Sequence, residues 1–225
     1  MKKPIPANYS VVNTFTADGS LYFHFGKEEK WYKKLVKFEP SSGLVTLIDL
    51  PDSFDMKNSI IHQIGQDVIQ FANDDYAGLM VNRLHKLDSD SPQITYLTRI
   101  YRSTVCAFSV AVDARRYFYL TGGRNVLEVF VGSRVASMLD IKTQEEKELP
   151  ELNHVRSNHS SIILDSHLFV FGGHYGAIQK TGSIESLDLR IKSVWKTLVT
   201  GNKFATRQCN CVVAVSATKL LVYGG

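Results

Sequence analysis

A glycine pair that closes a short apolar run recurs along the chain, and this feature restricts the fold more than any other. Each run is rich in β-branched, aromatic and aliphatic residues, which favour a strand. The glycines mark a strand end where the backbone needs unusual dihedral angles or a close approach. The spacing between copies is about 50 residues, which is typical of repeat proteins. The three pairs are Gly122-Gly123, Gly172-Gly173 and Gly224-Gly225.

An apolar residue followed by an acid repeats at nearly the same interval. Turn-forming residues come next, as in Pro40–Gly43, and a short apolar segment follows, as in Leu44–Leu50. An acid in this place can cap the turn with its carboxylate, so the pattern predicts a hairpin. The four copies are Phe38-Glu39, Leu87-Asp88, Leu139-Asp140 and Leu187-Asp188.

A second hairpin is predicted upstream of each glycine pair. The clearest one consists of Ser160–Leu164, the turn Asp165–His167, and Leu168–Phe171. Each repeat should therefore hold four short strands. No segment shows the 3.6-residue period of an amphipathic helix, so the sequence predicts an all-β fold.

Charge and composition exclude several classes of protein. The 225 residues carry a formal net charge of +4, and the charges are scattered. Nucleic-acid binders gather a basic stripe on one face, so no nucleic acid is expected as a partner. No window approaches the ~20 apolar residues of a membrane span, and prolines interrupt the N-terminal segment, which argues against a signal peptide. We therefore expect a cytoplasmic protein that does not associate with membranes.

The glycine pair, the apolar-acid step and a downstream tryptophan together resemble the kelch repeat, which also has a period of about 50 residues. The best copy runs from Arg156 through its glycine pair and Asp188 to Trp195. The first two units are degenerate, because Phe25-Gly26 and Ala72-Asn73 stand where a glycine pair belongs. The resemblance covers the whole chain and is strongest from residue 102 onward.

Kelch units resemble the blades of a β-propeller, in which four-stranded sheets pack radially around a channel. The resemblance implies that residues 1–225 are one kelch-type β-propeller region. Its blades would span roughly 8–51, 56–98, 102–152 and 156–200, with the first half of a fifth blade at 207–225. We therefore expect an incomplete propeller, or a ring that a partner or another copy of the chain completes.

Three arginines stand just before the innermost strand of a blade: Arg102, Arg156 and Arg207. In propellers that resemble this chain, arginines at this position point toward one mouth of the channel. A guanidinium group can there grip acidic or backbone groups of a bound peptide through bidentate hydrogen bonds. The alternative is that these arginines only brace neighbouring blades.

His174 and Tyr175 follow a glycine pair and are the other predicted partner-binding residues. A loop at this point would lie near one face of a propeller, where binding residues often occur. The alternative for both residues is an ordinary solvated loop.

No catalytic, metal-binding or cofactor-binding residues are predicted. Zinc needs further ligands in a recognisable spacing, and the three cysteines, Cys106, Cys209 and Cys211, lack them. An odd number of cysteines without an export signal also argues against a disulfide framework. The acids are best placed in turns, so no general acid–base pair can be named.

The leading hypothesis is a protein–protein interaction scaffold that binds a segment of a partner protein, such as an acidic peptide, on one face of the propeller. No small-molecule ligand is expected. The resemblance implies adaptor roles, since kelch-family proteins often serve as substrate adaptors for ubiquitin ligases or as cytoskeletal binders. The alternatives are a kelch-fold enzyme, namely an oxidase or a sugar-processing enzyme, and a nonfunctional propeller fragment.

Overall fold

The computed structural model describes residues 10–17, 19–27, 30–50, 59–64, 67–74, 78–85, 93–101, 108–113, 116–124, 131–176, 179–198 and 211–223. All regular secondary structure in these ranges is β-strand. The chain forms two compact units. The first comprises Met1–Asn73 and Leu79–Arg99, and the second comprises Asp74–Gly78 and Ile100–Gly225.

Two four-stranded sheets make up the first unit, and in each sheet the strands lie side by side in chain order. The first sheet contains β1 (Ser10–Ala17), β2 (Ser20–Lys27), β3 (Lys30–Glu39) and β4 (Leu44–Asp49). The second contains β5 (Ile60–Ile64), β6 (Asp67–Asp74), β7 (Gly78–His85) and β8 (Gln93–Tyr101). Buried side chains of both sheets form one apolar cluster, which consists of Tyr22, Leu35, Ile48, Leu50, Ile61, Val68 and Leu84.

The second unit contains two further four-stranded sheets and a hairpin. The third sheet of the chain holds β9 (Ser109–Val112), β10 (Tyr117–Thr121), β11 (Ala136–Asp140) and β12 (Glu145–Glu148). The fourth sheet holds β13 (Ser160–Leu164), β14 (His167–Phe171), β17 (Ile184–Asp188) and β18 (Trp195–Leu198). The short strands β15 (His174–Tyr175) and β16 (Gln179–Lys180) pair between β14 and β17, and β19 (Cys211–Ser216) pairs with β20 (Lys219–Tyr223).

In the third and fourth sheets, the extent to which a strand is buried depends on its position in the sheet. All five residues of β11 are buried, and so are the first four of β17. Interior strands that are covered on both faces need apolar or small residues at successive positions. The outer strand β12 has the sequence Glu-Glu-Lys-Glu, and three of its four residues are exposed.

Trp195 joins the fourth sheet to the segment that leaves the third. It is 3% exposed and lies in an apolar cluster with Leu152, Leu168 and Leu187. Its indole N–H donates a hydrogen bond to the carbonyl oxygen of Pro150 at 2.8 Å. A buried indole usually finds such a partner, so the tryptophan fixes both the packing and the polar contact between consecutive repeats.

In the third and fourth sheets, the acids of the apolar-acid step cap the turns that follow them. The Asp140 carboxylate accepts a hydrogen bond from the backbone N–H of Lys142 at 3.0 Å. Asp188 accepts one from the backbone N–H of Arg190 at 2.9 Å. Each carboxylate also binds a guanidinium group, that of Arg116 for Asp140 and that of Arg190 for Asp188.

We expect the stability of the second unit to fall as the pH decreases from about 4 to about 2. The hydrogen bond from Arg116 lowers the pKa of Asp140 from 3.8 to about 2, so the folded state favours the carboxylate. This contribution is present above pH 3.8 and is lost as the pH falls through the folded pKa. Thermal unfolding between pH 5 and pH 2 measures the effect. The Asp140→Asn variant should be less stable at pH 5 and should lose less stability on acidification; a parallel loss would contradict the assignment.

The expectation of an all-β chain with four-stranded antiparallel sheets is therefore confirmed. The two degenerate repeats also form four-stranded sheets, although they lack the glycine pair. The blade boundaries and the number of blades stay predictions. Within the described ranges, no helix is long and apolar enough to cross a membrane.

Candidate functional site

The two glycine pairs among the described residues lie at the ends of β10 and β14, and all four of these glycines have positive φ. The values are 55° and 100° for Gly122 and Gly123, and 60° and 94° for Gly172 and Gly173. An L-residue adopts this region only with strain. The chain beyond each pair therefore leaves the sheet along a path that glycine permits.

Close packing is a second reason for glycine at these positions. A Cβ atom on Gly122 would lie 2.6 Å from the carbonyl oxygen of Arg156, and one on Gly173 would lie 2.7 Å from that of Ser157. The residues Arg156 and Ser157 thus fill the space between the two pairs. The backbone N–H of Gly123 also donates to the carbonyl oxygen of Arg156 at 3.0 Å.

The Arg156 side chain is fully buried and binds groups of the fourth sheet. Its guanidinium group donates to the carbonyl oxygen of Gly172 at 2.7 Å and to the hydroxyl oxygen of Ser183 at 2.9 Å. It also forms a short ion pair with the carboxylate of Glu185, which is likewise 0% exposed. Burial lowers the pKa of Arg156, and the negative charge of Glu185 opposes that effect.

The Glu185 carboxylate holds the segment before Arg156 as well. One carboxylate oxygen accepts the backbone N–H of Asn153 at 2.6 Å, and the other accepts that of His154 at 3.1 Å. A buried carboxylate is tolerated only when it is paired and well supplied with hydrogen bonds. Glu185 meets both conditions.

Arg156 joins two consecutive repeats, because its backbone and its side chain bind different sheets. The backbone N–H of Arg156 donates to the carbonyl oxygen of Ser133, which lies between β10 and β11 of the third sheet, at 3.0 Å. The guanidinium group binds the fourth sheet through Gly172, Ser183 and Glu185. These contacts brace two neighbouring sheets, which corresponds to the alternative to peptide binding that was given above for this arginine.

His174 follows directly after the glycine pair Gly172-Gly173 and is held in place by hydrogen bonds. Two backbone hydrogen bonds of 2.9 and 3.1 Å join it to Ser157. Its ring nitrogens lie 2.7 Å from the side-chain amide nitrogen of Asn158 and 3.0 Å from the carbonyl oxygen of Gly176. Asn158 has a φ of 50°, a left-handed conformation that asparagine tolerates better than most residues.

Tyr175 extends outward from this ordered base and is 53% exposed. An exposed tyrosine on a fixed backbone offers apolar area and a hydroxyl group at a small cost in conformational entropy. We call the surface formed by Asn158, His174, Tyr175 and Gly176 the glycine-pair face. It contains an exposed aromatic side chain and two polar side chains.

The structure separates the residues that sequence analysis grouped as partner-binding. Arg156 lies inside the second unit, whereas His174 is partly exposed and Tyr175 is mostly exposed. Ser157 connects them, since it follows Arg156 and pairs with His174. Arg102 and Arg207 lie outside the described residues, as do Asp88, Gly224 and Gly225. Partner contact by the three arginines stays a prediction.

Glu185 is the residue that sequence analysis missed. The repeat gave no signal for it, because the third repeat has Ser137 at the same distance before its turn acid. The one available sign was a charge inside the apolar strand Ile184–Asp188. A buried charge needs a partner, and Arg156 is the nearest upstream arginine in the sequence.

Among the described residues, no group of three or more histidine, cysteine, aspartate or glutamate side chains could hold a metal ion. The fold and these contacts define an all-β repeat protein in which buried polar and aromatic contacts join the third sheet to the fourth.

Residues 156–201 match the family model described as Kelch motif. The match begins at Arg156 and contains Gly172-Gly173, Asp188 and Trp195, and it supports assignment of the chain to the kelch-repeat family. No curated protein matches the chain.

Proposed function

We propose that this protein is a kelch-type propeller module that binds a segment of a partner protein through its glycine-pair face and acts by binding rather than by catalysis. Four blades and the first half of a fifth are part of this proposal. The observation that carries it is the exposed Tyr175, which follows directly after His174, whose backbone is hydrogen-bonded to Ser157. Aromatic residues of this kind are enriched at protein–protein interfaces.

The chemistry of the face favours a peptide with hydrogen-bonding groups. His174 directly precedes Tyr175, and its ring lies 2.7 Å from the side-chain amide nitrogen of Asn158, so polar side chains form part of the same face. Kelch repeats generally mediate protein–protein interactions, which agrees with this reading. An acidic partner segment and a cytoplasmic location stay predictions.

Replacing Tyr175 by alanine is expected to weaken partner binding at least about tenfold, as the truncation of an aromatic hot-spot residue does. The matched control is Ile191→Ala. Ile191 is 70% exposed but lies in the turn after Asp188, at the opposite end of the same sheet. The unchanged protein, Tyr175→Ala and Ile191→Ala serve as three baits for affinity capture with mass spectrometry. This comparison identifies proteins that are lost only with Tyr175→Ala. Direct titration of the purified partner then gives the affinities.

Circular dichroism and thermal unfolding should show that both variants keep the fold, because both side chains are exposed. Partners retained equally by all three baits would place the binding surface elsewhere. A partner lost with Ile191→Ala and kept with Tyr175→Ala would assign binding to the other end of the sheet. Either result would overturn the proposal for the glycine-pair face.

A further inference from the structure

The two ring nitrogens of His174 have contacts of opposite hydrogen-bonding character. Nδ1 lies 3.0 Å from the backbone carbonyl oxygen of Gly176, which can only accept a hydrogen bond. The Ser157 hydroxyl is farther from Nδ1, at 3.5 Å, so the carbonyl contact decides. Nε2 lies 2.7 Å from the side-chain amide nitrogen of Asn158, which can only donate. A neutral His174 therefore has its proton on Nδ1 and its lone pair on Nε2.

This tautomer fixes the orientation of the Asn158 amide. Rotation of a side-chain amide by half a turn exchanges its nitrogen and its oxygen, so the hydrogen-bond partners decide which atom lies where. Because the lone pair of Nε2 needs a donor, the amide nitrogen faces the ring and the oxygen Oδ1 is directed away from it. Asn158 is partly exposed, and Ser157 before it shares two backbone hydrogen bonds with His174. The amide is therefore mounted on a fixed backbone at the surface.

Protonation of His174 reverses the orientation that the ring requires of the amide. An imidazolium ring carries a proton on both nitrogens and has no lone pair to accept a hydrogen bond. Nε2–H would then point at the amide N–H of Asn158, with two donor nitrogens 2.7 Å apart. Rotation of the amide by half a turn replaces this conflict with a hydrogen bond from Nε2–H to Oδ1. Nδ1–H keeps its bond to Gly176 in both states.

The titratable and charged residues on the segments around His174 are Arg156, His159, Tyr175, Lys180 and Glu185. Arg156 and Glu185 form the buried ion pair, and both are 0% exposed. His159 is buried, and its Nε2 atom is hydrogen-bonded to a threonine hydroxyl. Lys180 lies opposite His174 in the pairing of β15 with β16. Among the described residues, the groups within hydrogen-bonding distance of the His174 ring nitrogens are uncharged, so the asparagine amide is the group that responds to protonation.

We propose that His174 determines which hydrogen-bonding group Asn158 presents on the glycine-pair face. With neutral His174, Asn158 presents Oδ1, which accepts a hydrogen bond from an N–H group of the partner. With protonated His174, it presents its amide N–H, which donates to a carbonyl or carboxylate oxygen of the partner. The pair thereby makes partner recognition depend on pH in the range where histidine side chains gain their charge. This consequence for binding rests on the proposed function, whereas the coupling between the two side chains does not.

Nuclear magnetic resonance of the isotope-labelled whole chain tests the coupling without a partner. Proton–nitrogen correlation spectra should show that neutral His174 carries its proton on Nδ1. Between about pH 8 and about pH 5, the side-chain amide signals of Asn158 should change along the same titration curve as the His174 ring. In the Asn158→Asp variant, the carboxylate can only accept from Nε2–H, so His174 should titrate about one pH unit higher. Aspartate also tolerates the left-handed backbone at this position, where φ is 50°.

The matched control is His174→Gln, which removes the titratable ring and should leave the Asn158 amide signals constant over the same pH range. A neutral ring with its proton on Nε2 would overturn the proposal. Amide signals of Asn158 that do not follow His174, or that still titrate in His174→Gln, would also overturn it. If His174→Gln alters the circular dichroism spectrum, the shift in Asn158→Asp decides alone. Failure of the Tyr175→Ala comparison to identify a partner would count against the proposed function and leave these measurements unaffected.

Discussion

Replacing Arg156 by alanine is expected to lower the free energy of unfolding of the second unit by about 3–5 kcal/mol. The substitution leaves the carboxylate of Glu185 buried without its cation and removes a donor from the carbonyl oxygen of Gly172. Breaking one side of a buried ion pair is costly because the remaining charge cannot regain its hydration. Urea unfolding, followed by the fluorescence of Trp195 in a Trp31→Phe background, measures the change.

The matched control is Arg190→Ala, which removes a guanidinium group that also pairs with a carboxylate of the fourth sheet. Arg190 is 66% exposed, so water solvates Asp188 after the substitution and only a small loss is expected. The double variant Arg156→Ala, Glu185→Ala should lose less than the sum of the single variants, because each single variant leaves one buried charge without its partner and the double variant leaves none. Equal losses for Arg156→Ala and Arg190→Ala would show that burial does not decide the contribution of Arg156.

Substituting alanine for Gly173 should destabilise the same unit by about 2–5 kcal/mol, from backbone strain together with steric overlap. Gly173 has a φ of 94°, and a Cβ atom would lie 2.7 Å from the carbonyl oxygen of Ser157 and 2.8 Å from the Cβ of His159. Neither neighbour is the end of a flexible side chain. The strand or the segment 156–159 would therefore have to move.

The Gly43→Ala variant separates the effect of backbone strain from the effect of steric overlap. Gly43 also has a positive φ, of 67°, but nothing lies within 4 Å of a Cβ built there. Only the dihedral cost of about 1 kcal/mol is expected. Thermal and urea unfolding by circular dichroism compare the two variants. If Gly173→Ala costs no more than Gly43→Ala, close packing is not a reason for glycine in the pair.

Periodic features of the sequence predicted the all-β architecture and the four-stranded antiparallel sheets. The glycine pairs, the turn acids and Trp195 each recur or lie at a fixed place in the repeat, and each has a local physical role. Local roles can be inferred from residue type: glycine for positive φ, aspartate for capping, tryptophan for a buried contact. The degenerate repeats at Phe25-Gly26 and Ala72-Asn73 were harder to interpret, because they lack the glycine pair that marks a strand end in the later repeats.

The candidate site was less predictable, because its contacts join residues that are distant in sequence. Arg156 and Glu185 are 29 residues apart, and the third repeat has a serine where the fourth has Glu185. A sequence can show that an arginine precedes a strand, but whether it points inward depends on a buried acid elsewhere. Tyr175, by contrast, was predicted to be at a surface from its place after a glycine pair, and its exposure agrees with that placement.

Because Arg156 is hydrogen-bonded to the third repeat through its backbone and to the fourth through its side chain, it acts as a nearest-neighbour coupling term in an array of repeats. In such arrays the free energy of unfolding is approximately the sum of the stabilities of the individual repeats and the free energies of the interfaces between neighbouring repeats. A strong interaction at the interface makes two adjacent repeats unfold together rather than one at a time. The boundary between the third and fourth sheets is therefore a poor place to cut the chain: a fragment that ends at residue 155 would leave Ser133 and Gly123 without the partners that hold them.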